Sequence, residues 1–497
     1  MNKKLFIIPA LIIPILLLSW SMRKKFSRPE IETTTIWQNY SRYKEPALKN
    51  RMFKHSDLLP LIQKHVNSKL FTSEILGNSF QGRSINHLSI GKGKIKVLLW
   101  SQMHGDESTA TMALFDIFNF LSVSDDNDDF RKFILNNLEL HFVPMVNPDG
   151  AEKWKRRNAL DIDLNRDARA LTTPEAKILA QIADKIKPQF GFNLHDQSSL
   201  YSAGNTKHQA TISFLAPAYN YSRDLNDVRT NATKLIVMMN RTLQKYAPGQ
   251  VAKYSDAHEP RGFGDTFQGK GISTVLIESG GYPNDPDKQY IRKLNFYIIL
   301  SALHSIAQKS YEDEDIEDYA AIPENTRFVF DLVVRNAEIT KGGYKYRASL
   351  GINRAIIVDT DYRSLSYRGS LEELGDMGNN FGYEEADASL LLSLPGKIKV
   401  LKKVEWDNMS FEEEKVLIQQ GYLFVKFSDK RSSSGPIKNR LLNLTNSSTA
   451  NPEAIGLGRY PNFILADQNK KPVYAVSNGF LIDLTKEIKA LPNSFGY

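Results

Sequence analysis

A chain of 497 residues with 64 Lys+Arg against 56 Asp+Glu, 41% hydrophobic residues and no cysteine has the make-up of an ordinary globular protein. That excludes wholesale disorder, a collagen-like repeat and a multi-span membrane protein, and the length calls for two or three domains. Without cysteine there is no disulfide and no thiolate, so any metal must be held by His, Asp or Glu. The net charge of +8 is uneven: Lys3, Lys4, Arg23, Lys24 and Lys25 supply five positive charges, with no acid in the first 25 residues. The remainder of the chain is close to neutral and shows no basic stripe interleaved with aromatics, which argues against nucleic-acid binding.

In chain order, residues 5–18 form an apolar run behind Lys3 and Lys4, followed by Ser19, Trp20 and Ser21. A basic start, a short apolar stretch and small residues at the cleavage positions predict an export signal over 1–25. Trp20 and the cluster Arg23-Lys24-Lys25 also suit an uncleaved membrane anchor, so periplasmic or extracellular export and a membrane tether both stay open. Helical spacing follows at 56–66. Strands are predicted at 94–100, 138–146, 190–194 and 272–278, and helices at 108–121, 174–186, 231–246 and 289–311. Strands apolar throughout, alternating with helices, predict an α/β domain over 40–312 with a sheet covered on both faces. Six acids in the seven residues from Glu312 to Asp318 predict an acidic linker over 313–323. Beyond it, 324–497 reads as a mainly β accessory domain.

The residues with chemistry cluster at predicted strand ends, where ligands bind in open α/β sheets. His104 and Glu107, at i and i+3, follow the strand at 94–100. His195 closes the strand at 190–194, and Glu278 closes 272–278 ahead of Ser279-Gly280-Gly281. Between them lies Arg156-Arg157-Asn158-Ala159-Leu160-Asp161-Ile162-Asp163-Leu164-Asn165-Arg166-Asp167, rich in groups that bind anions. Two His and one Glu with an open fourth position make a catalytic zinc set, and a further Glu supplies a general base.

These residues, with Gly77-Asn78-Ser79-Phe80-Gln81-Gly82-Arg83 and Asn147-Pro148-Asp149-Gly150, resemble the zinc carboxypeptidases, the funnelin metallopeptidases. The resemblance implies a mixed eight-stranded sheet with helices on both faces and one zinc ion per chain held by His104, Glu107 and His195. It implies Glu278 as general base and acid, and Asn165 with Arg166 as the clamp on the terminal carboxylate of a peptide substrate. Arg157 would stabilise the oxyanion, with Arg156 the adjacent competitor, and Asp163 would fix the tautomer of His104. Tyr254 and His258 are the candidates for a substrate-capping side chain. Arg261-Gly262-Phe263-Gly264-Asp265-Thr266 resembles the specificity-pocket strand, with Gly264 near its floor and Arg261 suggesting an acidic terminal residue.

Residues 328–339 and 456–481 are similar to the two halves of the β-sandwich that flanks the amidohydrolase barrel. The interval between them is too short for a barrel and holds no His, so amidohydrolase chemistry is excluded. The expectation is therefore a metallocarboxypeptidase, with a cell-wall peptide amidase or an N-acyl amino acid deacylase as the alternative on the same site. A non-catalytic peptide-binding module is the alternative of another class.

Overall fold

The computed structural model describes residues 33–432, 435–437, 440–449, 455–492 and 494–496; the expected leader at 1–25 lies outside the described residues. Among the described residues no helix is long and apolar enough to cross a membrane.

After α1 (Thr33–Gln38) and α2 (His55–Asn67), the chain lays down β1 (Thr72–Asn78), β2 (Ser84–Ile90), β3 (Ile95–Ser101), α3 (Thr109–Ser122), α4 (Asp128–Asn137) and β4 (Leu138–Val143). The short α5 (Pro148–Glu152), then α6 (Pro174–Ile186), β5 (Phe190–Asp196), β6 (Ser202–Ala203) and β7 (Ile212–Leu215) follow. The region is completed by α7 (Asp227–Leu243), β8 (Val251–Lys253), α8 (Phe263–Gly269), β9 (Ser273–Ser279) and α9 (Gln289–Gln308). Eight of these strands form one sheet in the order β1-β2-β4-β3-β5-β9-β7-β8. The central strands β4, β3, β5 and β9 are parallel, and antiparallel strands flank them, which makes the sheet mixed as expected.

Alternation along the strands explains why they read as apolar throughout. Val97 and Leu99 of β3 enter a core built with α3, α4, α7 and α9. Leu98 and Trp100 enter a second core on the other face, built with α6 and α8. Each buried side chain of this size contributes about 1.5–3 kcal/mol of transfer free energy. In β5, Phe192 and Leu194 face the first core, so Asn193 and His195 face the second. The same alternation in β9 sends Ile277 to the first core and Glu278 to the second face. The helices start where their caps dictate: Thr173 and Asn226 accept backbone N–H bonds at the first turns of α6 and α7, and Pro174 fills N1 of α6.

Five of the six acids in the acidic run are exposed, and one is buried. Glu314 is buried against Arg241 of α7, with which it forms an ion pair, and the Tyr319 hydroxyl accepts from the Ala216 N–H. Beyond it, β10 (Asn325–Thr326) leads into β11 (Val329–Lys341), β12 (Tyr344–Val358), β13 (Leu365–Gly375) and β14 (Phe381–Asp387). These last four, with Ser494–Gly496 and Gly435–Ile437, build a six-stranded sheet. A four-stranded sheet of Leu392–Pro395, Phe463–Ala466, Pro472–Ser477 and Phe480–Asp483 shares a core with it through Leu332, Val334, Phe463, Leu465 and Val476. A third, three-stranded sheet is accompanied by helices Lys403–Asn408 and Phe411–Gln419, so this mainly β region also holds helix.

Candidate metal centre and active site

The turn after β3 is held by close backbone packing. A Cβ on Gly105 would lie 2.0 Å from the Gly150 carbonyl carbon, so only glycine permits this approach of the turn to α5. Asn147 caps α5 by accepting from the Gly150 N–H. Asp149 accepts from the Ser79 hydroxyl at 2.7 Å, the Gln81 N–H at 2.9 Å and Arg83 at 2.7 Å. The two loop motifs around 77–83 and 147–150 thus brace the turn that carries His104 and Glu107.

His104, Glu107 and His195 are all buried, and one ligand atom from each lies within 4.8 Å of the others. Glu107 bridges the two imidazoles, with Oε1 2.8 Å from His104 Nδ1 and Oε2 2.7 Å from His195 Nδ1. The Nδ1 atoms face each other at 3.2 Å, while His104 Nε2 meets Asp163 Oδ1 at 3.0 Å. That outer contact makes Nε2 the N–H of His104 and leaves Nδ1 as the lone pair facing inward. Burial alone would lower the His104 pKa; the Glu107 charge and the Asp163 hydrogen bond overcome it and push it up to about 9. Burial raises the Glu107 carboxyl, but its two imidazole neighbours hold it well below the usual carboxylate range. Two imidazole nitrogens and a carboxylate oxygen converging in a buried space fit a divalent zinc ion.

Glu278 stands beside His195 as its register partner in the parallel β5–β9 pair, on the same face of the sheet. Its Oε2 is buried without a hydrogen-bond partner. Burial, and then the Glu107 charge, push its pKa well above the ordinary carboxylate value. An unpartnered buried carboxyl is costly to a fold and is characteristic of a working site.

The arginines separate cleanly. Arg156 reaches in: its guanidinium lies 3.1 Å from Glu107 Oε1 and 3.0 Å from Asp163 Oδ2. Of the two candidates for the oxyanion it is Arg156 that contacts the cluster, while exposed Arg157 donates to the Asp161 carbonyl at 2.9 Å. Asn165 accepts from the Phe263 N–H at 2.9 Å, and its Nδ2 lies 3.5 Å from His195 Nε2. Arg166 is half-exposed and pairs with Glu259 at 3.2 Å. Exposed Arg261 pairs with the same carboxylate at 2.7 Å, so it and Arg166 share Glu259. Hydrogen bonds from Arg261 hold Glu259 down at about 2.

The expected specificity-pocket strand is instead α8. Gly264 lies in its first turn, where a Cβ would meet Pro217 at 3.0 Å and Asn193 Nδ2 at 3.5 Å. Tyr254, left open by the sequence, stands near the carboxylates: after burial, the charge of Glu278 is the next cause raising its pKa. His258 points elsewhere, to the Ala218 carbonyl at 2.9 Å and Asp265 at 3.1 Å. Sequence reasoning gave no role to Asp196, which follows His195. It accepts from Thr109 at 2.6 Å and pairs with buried Lys288 at 3.0 Å.

Residues 62–265 match the family model described as zinc carboxypeptidase. A stretch of 153 residues is 27% identical to an uncharacterized protein of Zymomonas mobilis, covering 30% of this chain and 39% of that one. A shorter stretch of 65 residues is 38% identical to carboxypeptidase SOL1 of Arabidopsis thaliana, covering 13% of each. The chain therefore spans well under two thirds of the length of these curated relatives. Among solved structures, a metallo-carboxypeptidase from Burkholderia cenocepacia aligns over 52% of this chain and 70% of that one, at 15% identity and a TM-score of 0.44.

Proposed function

Starting from residues 62–265 as a zinc carboxypeptidase domain, we propose that the protein is a zinc-dependent metallocarboxypeptidase that hydrolyses the C-terminal amide bond of peptides. The observation that carries this reading is the buried, unpartnered Oε2 of the half-buried Glu278, whose register partner is His195 of the cluster His104, Glu107 and His195. Zinc held by those three residues would supply Lewis acidity and a water acidic enough to lose its proton near neutral pH.

The chain's own groups divide the remaining work. Glu278, with its raised proton affinity, takes a proton from the attacking water and returns it to the leaving amine. Arg156, locked between Glu107 and Asp163, presents a fixed positive charge where negative charge develops on the carbonyl oxygen. Asn165 and Arg166 take the terminal carboxylate, for which Arg166 exchanges its Glu259 partner. Tyr254, kept neutral by its surroundings, donates a hydrogen bond to the bound substrate. Export through the leader-like first 25 residues would place this activity outside the cytoplasm.

The test compares one peptide series with free and amidated C-termini, before and after chelation and zinc return. Loss of a single terminal residue from the free acids only, abolished by chelation and restored by zinc, is the expected result. Equal cleavage of amidated peptides would reject a carboxylate-directed enzyme, and cleavage of muropeptide stems alone would select the amidase.

A further inference from the structure

One buried cation joins the ends of the elements that carry the chemistry. Lys288 is buried, and its ammonium pairs with Asp196 Oδ2 at 3.0 Å and donates to the Ser279 carbonyl at 2.8 Å. Asp196 directly follows the ligand His195 on β5, and Ser279 directly follows Glu278 on β9; these two are register partners, one step past the pair His195 and Glu278. The same Asp196 Oδ2 accepts at 2.6 Å from the hydroxyl of Thr109, which opens α3 two residues past the ligand Glu107. The Asp196 N–H donates to Glu107 Oε2 at 3.2 Å, the oxygen that also meets His195 Nδ1. Through these bonds Lys288 reaches, at one remove, the turn after β3 and the ends of β5 and β9.

The lysine is itself held in place. Asp285 caps the start of α9, accepting from the Gln289 N–H at 2.7 Å and the Tyr290 N–H at 2.8 Å. The Lys288 N–H donates to the Asp285 carbonyl at 3.0 Å. Lys288 adopts a φ of 52°, in the left-handed region that residues other than glycine rarely enter. Ser279 is fixed from the same helix, its hydroxyl accepting from Asn295 Nδ2 at 2.9 Å. Asp196 Oδ1 is buried without a hydrogen-bond partner, so the carboxylate is held through Oδ2 by Lys288 and Thr109. A buried ion pair adds little net stability, because the desolvation of both charges offsets their attraction, so stability does not account for a lysine here. What the pair supplies is a fixed spacing between the two strand ends.

We propose, on the reading of His104, Glu107 and His195 as zinc ligands, that Lys288 is a positioning residue of the metal site. By bonding the carboxylate after His195 and the carbonyl after Glu278, it sets the two strand ends, and through Asp196 the Glu107 carboxylate, in the arrangement that receives the ion. Partners one bond beyond the ligands govern metal affinity by about 10–100-fold.

The experiment uses the full chain and measures the zinc dissociation constant by competition with a chelator, on protein whose melting curve shows it folded. Lys288→Met is expected to raise that constant about 10–100-fold. Because this change strands the Asp196 charge, the double variant Asp196→Asn, Lys288→Met is measured beside it. There both charges of the pair are gone and the Asn carboxamide oxygen still accepts from Thr109, yet the constant is expected to stay raised at least about tenfold, since the tie to Ser279 is lost. Arg292→Met is the control: Arg292 and Asp116 form another buried ion pair between α9 and α3, and its loss is expected to leave the zinc constant within about twofold. A wild-type constant in the double variant, or an equal rise in Arg292→Met, would overturn the proposal. At saturating zinc, kcat of the double variant on free-acid peptides is expected to fall about tenfold with KM within about twofold. A wild-type chain with no zinc affinity would overturn both the ligand set and the proposal, whereas a chain inert toward peptides that still shows the zinc shift rejects only the reaction.

Discussion

The α/β region and the β region are built from strands of similar apolar content, yet they spend their polar residues differently. All nine histidines lie at or before His304, and none follows in the β region. The largest fully buried side chains, from Trp100 to Phe296, are likewise all in the α/β region. There the sheet is covered on both faces, and the buried polar atoms without partners include four at or just past strand ends: Gln102 Oε1, Asp106 Oδ1, Asp196 Oδ1 and Glu278 Oε2. In the β region buried polar side chains also form structural networks, as where Asn443 Nδ2 donates to Asn462 and Ser477 at 2.9 Å each, although Ser393 Oγ and Ser432 Oγ are buried without a partner. A two-sided core supplies the rigidity and low polarity that let a few polar groups remain unsatisfied for chemistry.

That contrast can be broken by substitution. Within the α/β region the largest effect short of the metal ligands and Glu278 falls on Arg156. Arg156→Ala is expected to lower kcat about 10²–10³-fold, by analogy with loss of an oxyanion donor. Arg157→Ala, on a side chain that touches only the Asp161 carbonyl, is expected to stay within about twofold. Steady-state rates on one free-acid peptide measure both, and a reversed order would restore Arg157 to the site. Next comes the buried pair of Arg292 and Asp116, both fully buried, with Asp116 also taking the Tyr40 hydroxyl at 2.8 Å and the Glu45 N–H at 2.7 Å. Arg292→Met leaves that carboxylate uncompensated and is expected to cost about 3–5 kcal/mol in urea unfolding. In the β region Leu465→Ala, in a fully buried side chain, is expected to cost about 2–5 kcal/mol while leaving zinc content unchanged. Loss of zinc from that variant would show the two regions to be one cooperative unit.

A separate effect is a pH dependence confined to the histidine-bearing region. Burial lowers His65, His87 and His304 to about 4, against about 6.5 in the unfolded chain. Between those values the unfolded state binds more protons, so the stability these three groups contribute is complete above about pH 6.5 and is lost as pH falls toward 4. The urea midpoint of the α/β transition should therefore fall over that window. An unfolding step assigned to the β region, which has no histidine, should not share the window.

What could be read from sequence follows from range. The central strands and α6 were legible because their patterns are local and strong: residues 174–186 are both the predicted and the observed helix. β1 was not singled out, because its burial is mostly exposed or partial and it carries no apolar run. α8 was taken for strand because seven residues with two glycines show no helical period. The metal ligands were legible as an i, i+3 pair and one strand-end residue, and Glu278 as a second strand-end residue, all set by local geometry. Arg156 and Arg157 are neighbours in an irregular loop, and only hydrogen bonds to Asp163 and Glu107 decide which turns inward. The acidic run read as a linker because its partner Arg241 lies 73 positions away. Lys288 gave no signal, since its contact with Asp196 spans 92 positions.

The central claim is that a buried carboxyl beside a zinc cluster carries the proton. Glu278→Gln keeps the shape of the side chain and removes the charge, so it can be measured directly with zinc content determined on the same sample. Zinc retained at the wild-type level with kcat on free-acid peptides reduced about 10²–10⁴-fold is the predicted result. Turnover unchanged with zinc in place would contradict it.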